Sequence, residues 1–267
     1  MKFSCDKYVL QQAAASAARA AAAKSPIPTL EGLLIEAGAS VRITGYDLKK
    51  AIYTTIDADI PEPGSVLIGA RLFCEMLRRM PDGIVTVEAE NGTVSVQCGK
   101  AAFNLVGLSA DDYPDLPTVE AENGVSLPQD LLKKMINECS FAVSTNESRP
   151  VYMGTLFEIE NNVLTMVSVD GYRLALRREA VEGYGDDCSF IVPGTALSDL
   201  ERLCGDSDER VVLSVGSKHI SFTVGNTVIL SRRLEGDFLN YKKAIPESFR
   251  VTVKTARTDL LEVVERV

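Results

Sequence analysis

VLTMVSVDGYRLAL, Val163 to Leu176, reads as a strand, a tight turn at Asp170-Gly171 and a second strand. Asp-Gly between two apolar-alternating runs is a strong short-range signal for a β-hairpin, because both residues tolerate the positive φ of a two-residue turn. An aromatic, a cation and an apolar residue follow in a row: Tyr172, Arg173 and Leu174. A degenerate twin, VRITGYDLKKAI, runs from Val41 to Ile52, and Asp47 and Asp170 hold the same place in the two copies, 123 residues apart. The twin lacks the Gly and the Arg. One copy keeps the frame, and the other carries extra chemistry.

The repeat extends outward in both directions. Three openings share one form: MKFSCDKYVLQQAA from Met1, VSLPQDLLKKMINE from Val125 and VTVKTARTDLLEVV from Val251. Each reads as a short alternating strand, a break, then an amphipathic helix, with Leu10, Leu132 and Leu261 in register. The breaks use helix-start chemistry at Asp6, Pro128 and Thr255. The middles match as meanders. The later halves match as a strand, a helix and three strands, with helices over Arg71–Arg79 and Thr195–Cys204. Both copies close on similar tails, Asp112-Tyr113-Pro114-Asp115-Leu116 and Asp237-Phe238-Leu239-Asn240-Tyr241. Each copy is therefore itself a duplicated strand-helix-strands half, two helices packed on antiparallel sheets, an α+β class. The expected domains are residues 1–121, 122–246 and a third beginning at 247–267, with a polar linker from Pro117 to Gly124. In that third opening Leu260, Leu261, Val263 and Val264 would need a sheet to pack on. The expectation is a truncated chain whose full version carries one more copy of roughly 120 residues.

Composition bounds the function. At 46% hydrophobic and 24% charged, 267 residues suit an ordinary globular protein with more than one core. The net charge of −9 argues against indiscriminate electrostatic binding to nucleic acid but leaves room for a local basic face. The six Cys form no C-x-x-C pair, so neither a zinc site nor a redox motif is indicated. No apolar signal core and no run of about 18 apolar residues occurs. The expectation is a cytoplasmic protein with buried reduced thiols, no metal and no cofactor.

The sequence resembles the bacterial DNA polymerase III beta subunit family, the sliding clamps, over all 267 residues. The resemblance is carried by the MKF start, the Pro28/Leu30 segment, Asp112-Tyr113-Pro114, Arg149-Pro150, Val169 to Ala175, Val192-Pro193 and Phe238 to Tyr241. It implies tandem DNA-clamp-fold domains, three per subunit, and a homodimeric ring around duplex DNA with helices lining the hole. Such a ring tethers the polymerase III catalytic subunit and the clamp loader, which insert linear peptide motifs, and it raises processivity while making no bonds itself. By position, the peptide groove would be formed by Tyr152, Val169, Gly171, Tyr172, Arg173, Leu174, Leu239, Lys243 and Ala244. Gly171 would let a peptide backbone approach, Val169, Leu174 and Leu239 would give an apolar floor, and Tyr172 and Arg173 a polar rim. Many members have Pro at the place of Leu239 and Arg at that of Lys243.

The resemblance also implies DNA contact at Lys24, Arg71, Asn146 and Arg149, and a ring interface at Phe103 and Leu105. Gly194 and Thr195 stand where members often carry basic residues after Val192-Pro193. The four expected inner helices carry +3 (Lys7 to Lys24), +2, 0 and −1, so +4 in all, against −13 for the rest of the chain. That asymmetry fits loose, sequence-independent phosphate contact.

Plainer readings compete. Asp170-Gly171 serves as a hairpin turn under any function, and Arg173 alone is more often a surface ion-pair residue. His219 reads as structural, since a single His offers no nucleophile–base–orienter chain. Asp111-Asp112 and Asp186-Asp187 are adjacent residues in turn-rich contexts, poor candidates for paired acid–base carboxylates. No GxGxxG or GxxxxGK[ST] occurs. The Ala-rich run Ala13 to Ala23 reads as a small-residue face packed closely on a sheet, with Arg19 and Lys24 outward. Three functions remain: a DNA-encircling clamp, a peptide-binding module that cannot close a ring without a third domain, and an acidic hydrolase.

Overall fold

One series of elements occurs twice in the computed structural model, which describes residues 1–119, 124–182 and 187–267. The first copy runs β1 (Lys2–Asp6), α1 (Lys7–Ala18), a 3₁₀ turn (Pro28–Glu31), β2 (Gly32–Ala37), β3 (Val41–Tyr46), β4 (Lys50–Ile56) and β5 (Asp59–Glu62). It continues with β6 (Gly64–Gly69), α2 (Ala70–Arg79), β7 (Ile84–Glu90), β8 (Thr93–Cys98) and β9 (Ala101–Leu108). The second copy runs β10 (Gly124–Pro128), α3 (Gln129–Ser140), a 3₁₀ turn (Pro150–Met153), β11 (Gly154–Glu160), β12 (Val163–Val169) and β13 (Leu174–Ala180). It ends with β14 (Cys188–Pro193), α4 (Gly194–Leu203), β15 (Arg210–Val215), β16 (His219–Val224) and β17 (Thr227–Arg232). β5 is an edge strand beside β1 that the sequence reading does not include; among the described residues its place in the second copy is held by a single antiparallel bridge, Glu182 to Ser126 of β10. Of the linker Pro117 to Gly124, residues 120–123 lie outside the described residues.

Each copy buries its own core. The first is built from Phe3, Leu10, Ile35, Ile43, Phe73 and Val96. The second is built around Phe157, which stacks on Phe190 at 5.5 Å and meets Phe222 edge-on at 6.4 Å. Their joint is a strand pair. β17 runs antiparallel to β4, Ile229 opposite Ile52, so one 13-stranded sheet passes from copy to copy. Ala20 and Ile52 of the first copy complete the second core. A four-stranded sheet, β13-β12-β11-β14, completes the second copy.

The helix starts follow the sequence where a side chain caps them. Asp6 Oδ1 accepts from the N–H groups of Tyr8 and Val9 at 2.8 and 3.3 Å. The end of α1 corrects the sequence reading: the helix stops at Ala18, so Lys24 is not helical. Alanine favours helix everywhere in this run, but packing overrides it. Ala20 is fully buried, the Ala20 and Ala21 N–H groups reach back only three residues, and Ala22 N–H donates to Leu30 C=O at 2.8 Å. Ala13, Ala14 and Ala17 form the expected small-residue face. A Cβ on Gly45 of β3 would lie 2.0 Å from Ala17 C=O, which measures how closely helix and sheet approach.

With its ends so revised, the charge of the four helices falls. α1 to α4 carry +1, +2, 0 and −1, or +2 in all rather than +4. The single negative contribution, from α4, includes Asp199, which is buried in an ion pair with Lys50.

The structure divides into two compact units, Met1–Gly236 and Asp237–Val267. The second holds α5 (Tyr241–Ala244) and α6 (Arg257–Glu265). The strand expected from Val251 is absent: residues 251–256 are irregular, and α6 takes Ala256 as its N-cap rather than Thr255. A strand needs a neighbour for its backbone groups, and no strand among the described residues pairs with this segment. Leu260, Leu261, Val263 and Val264 are exposed.

Candidate functional site

The hairpin corner departs from the two-residue turn read in the sequence. Val169 and Leu174 are the last strand pair, so Asp170, Gly171, Tyr172 and Arg173 form a four-residue loop. Asp170 organises it. Its Oδ1 accepts from the N–H groups of Tyr172 and Arg173 at 3.0 and 3.1 Å, its Oδ2 accepts from Arg173 Nε at 2.7 Å, and its own N–H donates to Arg173 C=O at 3.3 Å. A carboxylate that hydrogen-bonds backbone two residues on makes an Asx turn, and this supplies the reversal that the sequence assigned to Asp-Gly alone. The Tyr172 N–H foremost, then the Arg173 guanidinium, hold the Asp170 carboxyl below its ordinary range. Gly171 sits at φ +97° with open space around it.

The twin loop repeats the backbone part of this geometry. Asp47 Oδ1 accepts from the N–H groups of Lys49 and Lys50 at 2.9 and 2.7 Å, and Asp47 N–H donates to Lys50 C=O at 3.1 Å. Leu48 takes the place of Gly171 with φ +71°. Lys50 stands where Arg173 stands, but it is turned into the seam between copies, onto Asp199.

In the second copy the corner is open. Tyr172 is fully exposed, and Arg173 is exposed with its guanidinium 5.8 Å over the Phe141 ring. Val169 is buried and Leu174 half-buried, an apolar step below that polar rim. Tyr152 lies on the 3₁₀ turn that leads into β11, and the pairing of Leu156 with Val167 puts this turn at the same end of the sheet as the loop. Its N–H donates to Arg149 C=O at 3.0 Å, and its C=O accepts from Ser144 N–H at 2.8 Å. The structure thus brings together six of the nine groove candidates, Tyr152, Val169 and Gly171 to Leu174, at one sheet end. Leu239, Lys243 and Ala244 are exposed residues of the second unit, before and within α5.

The candidate DNA contacts fall into a pattern that the sequence showed only in part. Lys24 precedes the first 3₁₀ turn and Asn146 the second, so both sit on the same loop of successive copies. Both are exposed. Asn146 shapes its loop: its Oδ1 accepts from Ser148 N–H at 3.0 Å, and its C=O accepts from Arg149 N–H at 3.1 Å. Arg149 is exposed in that loop, and Arg71 projects from the first turn of α2, 3.5 Å from Glu75. Phe103 is exposed on β9 while Leu105 is half-buried against the first core. β9 pairs with β8 along Ala101 to Val106, and with β6 only at Gly107 and Leu108, so its other edge over 101–106 has no strand partner among the described residues. β13 likewise has one neighbour, β12.

Little else offers chemistry. Asp111 is tied to Ser109 in a turn at 2.8 Å, and Asp186 lies outside the described residues. His219 is half-buried on β16 opposite Arg232, with burial first and then Arg232 and Lys218 lowering its pKa. All six cysteines are free; burial pushes Cys5 up to about 12 and Cys139 and Cys204 up to about 11, which leaves them inert thiols. Among the described residues no acidic, His or Cys group is arranged to hold a metal, and no helix is long and apolar enough to cross a membrane. The sequence missed the Lys50–Asp199 pair and the Phe141 platform under Arg173. The first carried a signal, since Lys50 and Arg173 share the 123-residue spacing.

Comparison with known proteins agrees with this architecture. Residues 1–117 match the family described as DNA polymerase III beta subunit, N-terminal domain, and residues 126–240 match the central domain of the same subunit. The beta sliding clamp of Bacillus subtilis is 31% identical over 278 residues, covering 100% of this chain and 73% of that protein. The Staphylococcus epidermidis beta sliding clamp is 32% identical, covering 93% of this chain and 68% of its own. Among solved structures, a putative DNA polymerase III beta subunit from Eubacterium rectale superposes with a TM-score of 0.96 at 31% identity, over 100% of this chain and 74% of that one. A Pseudomonas aeruginosa sliding clamp bound to griselimycin superposes with a TM-score of 0.93 at 26% identity, over 100% and 73%.

Proposed function

The chain belongs to the DNA polymerase III beta subunit family, the beta sliding clamps, and from that premise we propose that it acts as a processivity clamp: a non-catalytic subunit that contributes to a ring around duplex DNA and holds a polymerase there. The observation that carries this reading is the seam. β17 continues into β4, so copies join edge to edge in one sheet, while α4 reaches across the same joint through Asp199. A joint of this kind, repeated, extends a wall of sheet backed by helices, and the open edges of β9 and β13 are where it would continue.

In the proposal the domains are residues 1–121, 122–246 and the start of a third at 247–267. Lys24, Arg71, Asn146 and Arg149 touch phosphates, and the exposure of all four, with Lys24 and Asn146 on the same loop of successive copies, supports a contact without base readout. Phe103 and Leu105 belong to the ring interface. Tyr152, Val169 and Gly171 to Leu174 receive an apolar-anchored linear peptide from the polymerase or the clamp loader. The exposed Tyr172–Arg173 rim over a Val169–Leu174 step supports that role. The compartment proposed is the cytoplasm.

The clamp reading predicts retention on nicked circular DNA and loss of the protein when the circle is cut. Absence of retention on the closed circle removes that reading. A second reading, a peptide-binding module alone, draws on the two unpaired edges and predicts peptide binding without retention. Fluorescence polarisation with a Leu/Phe-anchored peptide tests the groove in both cases. Leu174→Ala is expected to cost on the order of 1–3 kcal/mol of binding, and unchanged binding in both Leu174→Ala and Arg173→Ala removes the assignment.

A further inference from the structure

We infer that the seam between the two copies holds a second ligand site, a cleft that takes a short acidic peptide with an apolar anchor from a partner protein. The inference rests on the cavity itself. It uses neither the clamp reading nor the Tyr172–Arg173 corner, so each can fail alone.

The cavity has a volume of about 720 Å³, within the size range of ligand pockets. The twin loop of the first copy forms one wall, and the 3₁₀ turn, the start of α4 and the end of β17 of the second copy form the rest. Its apolar lining is Pro150, Met153, Pro193 and Leu234. Met153, Pro193 and Leu234 are half-buried and Pro150 is exposed, so apolar surface remains for a ligand to cover.

The same lining carries four cations, Lys49, Lys50, Arg232 and Arg233, against two carboxylates, Asp47 and Glu235, in a chain of net charge −9. Contacts within the protein use part of that charge. Lys50 is paired with Asp199, and Arg232 Nη2 with Glu235 at 3.1 Å. Asp47 Oδ1 is occupied by the Lys49 and Lys50 N–H groups. Arg233 is held differently. Its guanidinium donates to the Gly216, Ser217 and Ser189 carbonyls at 3.1, 3.3 and 3.1 Å and lies 5.6 Å over the Phe190 ring. Carbonyls fix the group but leave its charge uncancelled. Among the described residues neither Arg233 nor the exposed Lys49 has a carboxylate partner. Pro193 and Thr195 flank the first residue of α4, so the positive end of that helix adds to the field.

The cleft is also preformed. Lys49 C=O accepts from Arg232 N–H at 2.9 Å, Arg233 N–H donates to Lys218 C=O at 3.0 Å, and Leu234 N–H donates to Ile191 C=O at 3.0 Å. These bonds tie the twin loop to β17 and hold the chain just beyond it, so little has to be ordered on binding. A phosphate would answer the cations but leave the apolar lining uncovered. A Leu or Phe side chain with an Asp or Glu beside it answers both.

Of the six methionines only Met153 lines the cavity, so its ε-methyl NMR signal reports occupancy there. The probe is a synthetic peptide, Gly-Asp-Leu-Phe-Glu-Gly, titrated into the full chain carrying Arg173→Ala and Leu174→Ala, which removes the other corner. The Met153 signal is expected to shift saturably while those of the buried Met135 and Met166 stay in place. Asn and Gln in place of Asp and Glu in the peptide are expected to weaken binding by about fivefold or more, and so is Lys49→Glu in the protein. Both effects are expected to shrink in high salt. Lys49→Arg is expected to bind as the parent chain does, and Ser in place of Leu and Phe in the peptide is expected to abolish the shift. A Met153 signal unmoved at about 1 mM peptide overturns the proposal. So does a shift that the charge changes on both partners leave unchanged, or one given by a short DNA duplex and not by the peptide. Circular dichroism of each variant separates lost binding from lost folding.

Discussion

Lys50 and Asp199 form an ion pair across the seam between the two copies, with their side chains only 12% and 9% exposed. Two charges withdrawn from water are held there by each other, and removing one strands its partner. Lys50→Met is therefore expected to cost about 3 kcal/mol of unfolding free energy. Lys50→Met with Asp199→Leu is expected to recover most of that loss, because a packed apolar pair avoids the desolvation cost. Urea denaturation midpoints decide it. A single-variant loss under about 1 kcal/mol would mean that water reaches the pair.

The close approach of α1 to β3 makes Gly45 intolerant of any side chain. A Cβ there would meet Ala17 C=O at 2.0 Å and Ala21 N at 3.1 Å, both backbone atoms that cannot rotate away. Gly45→Ala is expected to destabilise by about 3 kcal/mol or more through overpacking. Gly38→Ala, with open space around its Cβ, is the control and is expected to stay within about 0.5 kcal/mol. Thermal unfolding of the two variants side by side gives the answer.

These two sites mark the limit of what the sequence could tell. The repeat, the strand–helix–strands order and the exposed Tyr172–Arg173 corner are local patterns that recur at a fixed spacing, so one chain displays them. The end of α1 is not local. It is set by Ala20 entering a core and by Gly45 arriving from β3, while the intervening alanines favour more helix. The Asx loop is half legible: the sequence matches Asp47 with Asp170, but it points to a two-residue Asp170-Gly171 turn rather than to a loop held by the carboxylate. The second unit is illegible for another reason. The opening at Val251 has the strand pattern of its two predecessors but, among the described residues, no neighbouring strand to pair with.

The twin loops predict an asymmetric outcome for one substitution. Leu48 and Gly171 hold the same position at φ +71° and +97°. A residue with a Cβ is strained there by about 1–2 kcal/mol, while glycine loses extra chain entropy on folding, about 0.5–1 kcal/mol. Leu48→Gly is expected to be neutral or to stabilise by up to about 1 kcal/mol. Gly171→Leu is expected to destabilise and to weaken peptide binding. Denaturation curves for both variants check the first, and polarisation titration of the second checks the corner.

Asp170 makes the corner sensitive to acid. Its carboxyl is held below the ordinary range, chiefly by the Tyr172 N–H and then by Arg173. The sign follows from the direction. A depressed folded-state pKa means that the native corner binds its proton less readily than the unfolded chain does. The stabilisation is complete above the ordinary carboxylate pKa of about 3.9 and disappears as the pH falls through the lower native value. Because the loop is exposed, the readout is local order rather than global stability. The Tyr172 amide and Arg173 Nε–H NMR resonances are expected to hold position from pH 7 down to about 4 and to shift together below it. Asp170→Asn keeps an acceptor for one backbone N–H but loses the charge facing Arg173, so both resonances are expected to lie at the shifted position across that range. Asp47→Asn, in the twin loop, is expected to leave them unmoved. Titration of the two resonances at different pH values would show instead that separate groups act on the backbone and on the guanidinium, and that Asp170 does not organise the corner.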